Sequence, residues 1–132
     1  MATRTDVREV VVGVLYALEV GNDKILNYTD ELFENKKIRN KQKVFGEELL
    51  NLAMSHKEKA DNQINERLNK RTVDDIGAVP KAILRVATAE MTTDTDDALI
   101  ISEATKIASK LCDESSLKLI NAVLQNLSKE LS

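Results

Sequence analysis

Two arginines near the start of the chain have the type and spacing that bind phosphate groups. Arg4 and Arg8 are four residues apart, so a helix places them on one face while Val7 and Val11 pack on the opposite side. A helix N-terminus also directs unpaired backbone N–H groups and a positive dipole end at an anion. The pair could therefore contact a nucleic-acid backbone, but two ordinary surface arginines, commonplace in helical proteins, are the more typical alternative.

Two further basic features point to the same chemistry. Lys118 lies in the first turn predicted for the last helix, where a cation opposes the helix dipole by about 0.3–1 kcal/mol unless an anion arrives. The segment from Lys36 to Lys43 has five basic residues in eight and could extend a surface that binds nucleic acid. A solvated loop between two helices is the more typical alternative, because glutamates flank the segment on both sides.

Residues that carry catalysis or bind metals are few and dispersed. His56 is the only histidine and Cys112 the only cysteine, so neighbouring residues cannot supply a zinc site or a nucleophile with its base. Asp94, Asp96 and Asp97 lack the pattern of a calcium-binding loop, and neither glycine-rich phosphate-binding pattern occurs. We expect a solvated His56, a Cys112 that fills a small apolar space, no metal, no cofactor and no enzymatic activity.

Helices must position these residues, and the apolar periodicity predicts about seven of them. The first helix has a continuous apolar face with intervals of three and four residues: Val7, Val10, Val11, Val14, Leu15 and Leu18. A second helix is expected at about 24–35, and a third that is long or broken near Ser55 and His56. Thr72 to Asp75 resembles a capping box, and Pro80 suits the first turn of a helix.

The remaining helices follow the same periodicity to the end of the chain. Two apolar series predict them: Ile100, Ile101, Ala104, Ile107, Ala108 and Leu111, then Leu117, Ile120, Leu124, Leu127 and Leu131. Arg85 falls among apolar residues, and a partly buried arginine must be matched, so we expect it to pair with Glu90 or Glu103. The pattern contains no alternating strand signal and predicts an all-α bundle.

Composition limits the class of protein. The 132 residues suit one domain spanning 1–132. Aromatic residues make up only 3%, so the core must be built from Val, Ile, Leu and Ala. A net charge of −3 argues against a protein that holds RNA alone through bulk electrostatics. No signal-peptide pattern is present, and no apolar run approaches the roughly 20 residues that span a bilayer, so we expect a cytoplasmic protein.

Three segments, in order, resemble the NusB family of bacterial antitermination factors. The first is RTDVRE at residues 4–9, followed by LYALE at 15–19. The second is IGAVPKAILRVATAEM at 76–91. The third joins ISEA at 101–104 and IA at 107–108 to KLINAVL at 118–124. The resemblance spans nearly the whole chain and is weakest between Asn22 and Lys70.

The resemblance implies both a fold and a function. The fold is a seven-helix bundle of two perpendicular helical subdomains. The function is to bind boxA-type single-stranded RNA in the leaders of ribosomal-RNA operons, together with the ribosomal protein NusE, within an RNA polymerase antitermination complex. A helical adaptor that binds only protein is the alternative, and some bundles of this kind form homodimers.

The resemblance also implies site residues. By their positions in the first and last helices, Arg4, Arg8, Lys118 and Leu119 correspond to the RNA-binding surface. The family often has an aromatic residue at Leu119, and its absence removes base stacking of roughly 1–3 kcal/mol. Pro80 stands where an acidic residue often faces the partner protein, which makes Pro80 and its neighbour Lys81 candidates for NusE binding. We therefore expect RNA recognition to depend strongly on NusE.

Overall fold

The computed structural model describes residues 2–131, and this part of the chain folds entirely into helices and their connections. It contains seven α-helices and no strand: α1 (Arg4–Glu19), α2 (Thr29–Asn35), α3 (Lys41–Ser55), α4 (Lys57–Asn65), α5 (Ala78–Glu90), α6 (Asp97–Leu111) and α7 (Glu114–Leu131). The all-α, seven-helix prediction is confirmed. Met1, Ser132 and the side chain of Leu131, which the sequence places in the last apolar series, lie outside the described residues.

The start of α1 is fixed by a capping box. The Thr3 hydroxyl accepts a hydrogen bond from the Asp6 backbone N–H at 3.1 Å, and the Asp6 carboxylate accepts one from the Thr3 backbone N–H at 2.8 Å. These two bonds satisfy backbone donors that the first turn would otherwise leave free. The helix ends before Gly21, whose φ of 93° suits glycine. Arg4 is therefore in the first turn, as the sequence predicts.

Two predicted elements differ in detail. The predicted helix at 24–35 is a 3-10 helix (Asp23–Tyr28) followed by the short helix α2, because its apolar residues are too few to bury one continuous face. Of the two alternatives for the third helix, the structure contains the broken one, since His56 separates α3 from α4. The Thr72–Asp75 capping box is also confirmed and opens a second 3-10 helix (Val73–Asp75).

The central helix is α5, which packs against α1, α3, α4, α6 and α7. Every residue from Pro80 to Glu90 is buried, and a helix that is surrounded on all sides must bury its polar residues as well as its apolar ones. Three charged residues of this helix, Lys81, Arg85 and Glu90, are buried in this way, and each forms an ion pair with another element.

A second, small core joins the start of α1 to the α2–α3 connector. It consists of Ala2, Val7, Phe33 and Ile38, all nearly inaccessible to solvent. The Gln42 side chain adds a hydrogen bond of 2.7 Å to the Ala2 carbonyl. The buried Ile38 thus anchors the basic segment 36–43 beside the first turn of α1.

None of the helices formed by residues 2–131 has the length and apolar character needed to cross a membrane.

Candidate nucleic-acid interface

Arg8 does not lie on the surface with Arg4. Its side chain is buried, and its Nε and Nη2 atoms donate to the two carboxylate oxygens of Glu90 at 2.8 and 2.6 Å. Glu103 lies 3.7 Å from Nη1. Burial opposes the charged form, but the hydrogen bonds and charge of Glu90, with the charge of Glu103, outweigh it and raise the pKa of Arg8. The sequence-based assignment of Arg8 to an RNA-binding surface is therefore corrected: this arginine joins α1 to α5 and α6.

Arg4 remains exposed and lies against an aromatic ring. Its guanidinium carbon is 4.3 Å from the centroid of the Phe45 ring on α3, within the range of a cation–π interaction. Arg4 forms no ion pair with any residue in the described part of the chain. Its charge is therefore held in place by the ring without being neutralised, as a phosphate-binding group requires.

The basic connector beside Arg4 is partly neutralised. Arg39 pairs with Glu34, and Lys43 lies 3.2 Å from Asp30. Lys37 and Lys41 are exposed, and neither forms an ion pair within residues 2–131. Lys36 is also exposed, and its charge contributes to the lowered pKa of Asp6, after the larger effect of the Thr3 backbone hydrogen bond. Three cations of the connector are therefore available near the start of α1.

A further basic group beside α1 comes from α6 and lines the same pocket as Lys36. Lys110 lies 2.9 Å from Glu9 of α1, and the Thr5 hydroxyl donates to Glu103 of α6 at 2.6 Å. These contacts place the C-terminal half of α6 alongside the start of α1. Cys112 and Asp113 then lead directly into α7.

The structure places the two predicted residues of α7 differently. Lys118 is exposed and lies 3.6 Å from Glu114, four residues earlier, an arrangement that contributes little to stability. Leu119 is half-buried and packs against the main core. Helix α7 packs against α5 and α6, and both of these helices also contact α1. Arg4 and Lys118 therefore lie on helices that are connected mainly through α5 and α6.

Both candidates for partner binding are buried. Pro80 lies in the buried stretch of α5, and the Lys81 ammonium pairs with Glu19 and, at 2.6 Å, with Asp74. Burial lowers the pKa of Lys81, but the hydrogen bonds to Asp74 and Glu19 outweigh this effect and raise it overall. A partner protein would have to displace these contacts to reach either side chain, so the NusE-facing role predicted for Pro80 and Lys81 is corrected.

Arg85 also has partners other than the expected ones. It donates to both oxygens of Asp61 at 2.8 and 2.7 Å, and to Glu19 at 3.1 Å. The expected partners Glu90 and Glu103 bind Arg8 instead. One helical turn separates Lys81 from Arg85, so Glu19 can pair with both. Arg85 thus has a structural role, as predicted, but its carboxylate partners are Glu19 of α1 and Asp61 of α4.

The remaining candidates for chemistry have structural surroundings. His56 is half-buried at the α3–α4 junction, where we expected a solvated residue. Cys112 packs partly buried against the core, and burial, followed by the charge of Asp113, raises the pKa of its thiol. Asp96 caps α6, and Asp97 accepts a hydrogen bond from Ser128 at 2.8 Å. No cluster of potential metal ligands occurs in the part of the chain that the structure describes.

Sequence reasoning missed two surface features. The first is a groove of about 400 Å³ beside Arg4, between α3 and the α5–α6 loop. The second is a group of exposed apolar side chains at the end of α1 and on the following 3-10 helix: Tyr16, Val20, Leu26 and Tyr28. Tyr16 and Val20 fall outside the apolar series of α1, and that exclusion was a signal in the sequence that they face solvent.

Comparison with known proteins agrees with this architecture. The NusB family model matches residues 5–129. The transcription antitermination protein NusB of Aliarcobacter butzleri is 42% identical over 130 residues, covering 98% of this chain and 99% of that protein. The corresponding protein of a Sulfurovum species is 43% identical, with 98% of this chain and 100% of that protein covered.

Two solved structures show the same fold. A crystal structure of NusB from T. maritima has a TM-score of 0.87 and 25% identity, covering 98% of this chain and 92% of that one. NusB and NusE crystallised with double-stranded RNA give a TM-score of 0.84 at 25% identity, covering 96% of each chain. With the family model matched almost from end to end and relatives above 40% identity, the chain belongs to the NusB family.

Proposed function

We propose that this chain is a transcription antitermination factor that binds boxA-type single-stranded RNA in ribosomal-RNA operon leaders together with the ribosomal protein NusE. One observation carries the proposal. Arg4 and the connector lysines 36, 37 and 41 form an exposed basic surface around the start of α1, in a protein whose net charge is −3. Cations gathered on one side of an acidic protein favour an anionic partner there.

The relatives supply the identity of the partners. Curated proteins similar to this chain are named transcription antitermination proteins, and the solved complex of NusB with NusE contains RNA. We carry these partners over to this chain, with the RNA polymerase antitermination complex in the cytoplasm as their site of action. The role is binding, without catalysis.

The charges of the interface support a shared mode of RNA binding. The acidic partners Glu34, Asp30 and Glu9 neutralise Arg39, Lys43 and Lys110 respectively, so few cations remain free. Because counterion release scales with the number of neutralised phosphates, this chain alone should bind RNA weakly. NusE then supplies the additional contacts, and Lys118 extends the surface beyond α6.

The exposed apolar patch at the end of α1 is the proposed NusE-binding surface. Tyr16, Val20, Leu26 and Tyr28 are between 40% and 58% exposed. The 3-10 helix packs against α1, which brings these side chains to the same end of α1. A contiguous exposed apolar patch favours a protein–protein interface, and tyrosine is enriched at the energetic centres of such interfaces. This patch replaces the buried Pro80 and Lys81 as the site for the partner.

The test is RNA binding by this chain, by NusE and by their complex, with boxA RNA and a scrambled RNA of equal length at several salt concentrations. We expect the complex to bind boxA more tightly than either protein alone, and more tightly than it binds the scrambled RNA. Equal affinity of the complex for both RNAs contradicts the proposal. A double-stranded boxA probe, measured in parallel, tests whether the single strand is the preferred form.

A protein-binding adaptor is the second candidate, and the exposed apolar patch favours it. The same experiment separates the two, because an adaptor binds NusE and leaves its RNA affinity unchanged. The patch could also join two copies of this chain, so the mass in solution should be measured with and without NusE. A homodimer that NusE dissociates indicates that both partners use the same surface.

A further inference from the structure

A groove beside Arg4 has a lining unlike that of a simple phosphate-binding surface. It measures about 400 Å³ and lies between the start of α1, α3 and the loop from α5 to α6. Phe45 and Leu52 line it on the α3 side, and Thr93 and Thr95 on the loop side. Apolar walls do not bind phosphate but suit a heterocyclic ring, and the threonine hydroxyls can form hydrogen bonds with its polar edges.

The Arg4–Phe45 pair forms a platform at this groove. The guanidinium carbon lies 4.3 Å from the ring centroid, and Phe45 is itself fixed from inside the protein, where the buried Arg8 lies 5.2 Å from the same centroid. Arginine planes and aromatic rings are the surfaces on which proteins stack unpaired RNA bases. A guanidinium held by a ring is already ordered, so stacking costs less side-chain entropy.

The groove also contains a carboxylate that other contacts do not explain. Glu48 lines it and forms no hydrogen bond or ion pair with residues 2–131. The other carboxylate of the lining, Glu90, is already bound by both nitrogens of Arg8. A free carboxylate repels phosphate, but it accepts hydrogen bonds from the exocyclic amine of a base.

We propose that the groove binds one unstacked RNA base that carries an exocyclic amine, with the Arg4–Phe45 platform against its face and Glu48 at its amine. The inference rests on the proposed RNA-binding function and adds a base-reading site to it. The planar shape of Arg4 then matters as well as its charge. Glu48 then strengthens RNA binding through its hydrogen bond to the base, whereas other carboxylates on this surface weaken RNA binding because they repel phosphate.

Two matched substitutions separate this proposal from plain electrostatics. Arg4→Lys keeps the charge and removes the planar group, so boxA affinity of the complex with NusE should fall about tenfold, within the range for loss of one stacked base, with an unchanged salt slope. Glu48→Gln should weaken binding several-fold. Its neighbour Glu47 is equally exposed and lies outside the groove lining, so Glu47→Gln should leave affinity unchanged or slightly raised.

A scan of the RNA identifies the base. BoxA RNAs with one abasic nucleotide at each position in turn are bound to the wild-type complex and to the Arg4→Lys complex. At one position the abasic change should weaken binding to wild type and have little further effect on Arg4→Lys, since two changes that remove one contact are not additive. Replacing only the exocyclic amine at that position should abolish the effect of Glu48→Gln.

The outcomes distinguish this inference from the function on which it rests. If both Arg4→Lys and Glu48→Gln bind boxA RNA with wild-type affinity and still prefer it to scrambled RNA, the base site is overturned. The proposed function is then unaffected. Equal binding of boxA and scrambled RNA by the wild-type complex overturns the function itself, and the inference with it. If Arg4→Lys or Glu48→Gln instead changes affinity for NusE, and the loss from Arg4→Lys adds to the loss from the abasic change at every RNA position, the inference is overturned. The groove would then bind a side chain of the partner protein.

Discussion

Arg8 and Glu90 form a bidentate ion pair inside the protein, in which the guanidinium donates to both carboxylate oxygens, at 2.8 and 2.6 Å. The pair joins the first helix to the end of the central one, and both side chains are almost completely buried. Charge-assisted bonds of this geometry are among the strongest in proteins. Because neither charge can reach water, each depends on the other.

Substitution of Arg8 should therefore affect folding before it affects RNA binding. Arg8→Met leaves Glu90 buried without its cation, and breaking a buried pair typically costs about 3–5 kcal/mol. Chemical denaturation of the variant is the measurement. The double variant Arg8→Met/Glu90→Leu should recover much of the loss, and Arg39→Ala, at an exposed pair, should unfold like the wild type. A fully stable Arg8→Met variant contradicts the structural role.

Two glycines should respond in opposite directions to substitution by alanine. A Cβ at Gly46 would meet two ring carbons of Phe33 at 2.7 and 2.8 Å and a methyl of Val7 at 2.9 Å, and such overpacking costs about 1–3 kcal/mol. A Cβ on Gly13 would meet nothing within 4 Å. Gly13→Ala in α1 should stabilise by about 0.5–1 kcal/mol. Thermal unfolding of both variants checks the pair, and a stabilised Gly46→Ala would show that Phe33 of α2 and Val7 of α1 can move away from α3.

Acid should weaken the cluster that Glu19 forms with Lys81 and Arg85. The hydrogen bond from Lys81 lowers the pKa of Glu19 most; burial opposes it, and Arg85 adds to the lowering, so the value lies below the usual 4.5. A carboxyl whose folded-state pKa is depressed contributes stability above its unfolded value, and loses it as pH falls through the folded value. Unfolding free energies should therefore decline below about pH 4.5. Glu19→Gln should be less stable at neutral pH and decline less steeply in acid; parallel curves would exclude Glu19 as a source of the decline.

The connector lysines should contribute to RNA binding through charge alone. Changing Lys36, Lys37 and Lys41 to Gln should weaken binding of the complex with NusE to boxA and scrambled RNA alike. The slope of log affinity against log salt should fall by about 0.7 per lost phosphate contact on a single strand. Arg39→Gln is the matched control, since Glu34 already neutralises that charge. An unchanged slope in the triple variant would mean that the connector is a solvated loop.

The apolar patch at the end of α1 should govern NusE binding. Tyr16→Ser and Val20→Ser remove exposed apolar groups, so the fold should tolerate them while affinity for NusE falls. Calorimetric titration with purified NusE measures the effect. Leu111→Ser, at an equally exposed leucine on α6, serves as the control and should bind NusE normally. Unchanged affinity in both α1 variants would place the NusE contact elsewhere.

Most of the fold could be predicted from the sequence because apolar spacing reports helices directly. The series from Val7 to Leu18 predicts α1, and the Thr72–Asp75 pattern predicts a capping box that the structure contains. The prediction of one continuous helix at 24–35 differs from the structure in detail, because a 3-10 helix of six residues is too short to display a helical period. The apolar spacing continues past His56 to Ala60 and Ile64, so the sequence leaves open whether the third helix is long or broken there.

The site residues were harder to predict, because charge in a sequence does not reveal burial. Arg4 and Arg8 cannot be told apart from the local sequence, yet Arg4 is exposed, whereas Arg8 is buried and contacts Glu90 and Glu103. The difference arises from α5 and α6, whose carboxylates lie more than 80 positions away in the chain. Pairings at such distances depend on tertiary packing, which a local pattern does not encode. For the same reason Arg85 was assigned the wrong carboxylates.

The burial of α5 from Pro80 to Glu90 limits how this protein can change in evolution. Each side chain from Pro80 to Glu90 is enclosed by other elements, so the helix offers no solvent-facing position at which substitutions are neutral. Sequence drift must therefore accumulate in α2, α4 and the connectors, where exposed positions are plentiful. New binding specificities can arise on those outer segments while the helix at the centre keeps its residues.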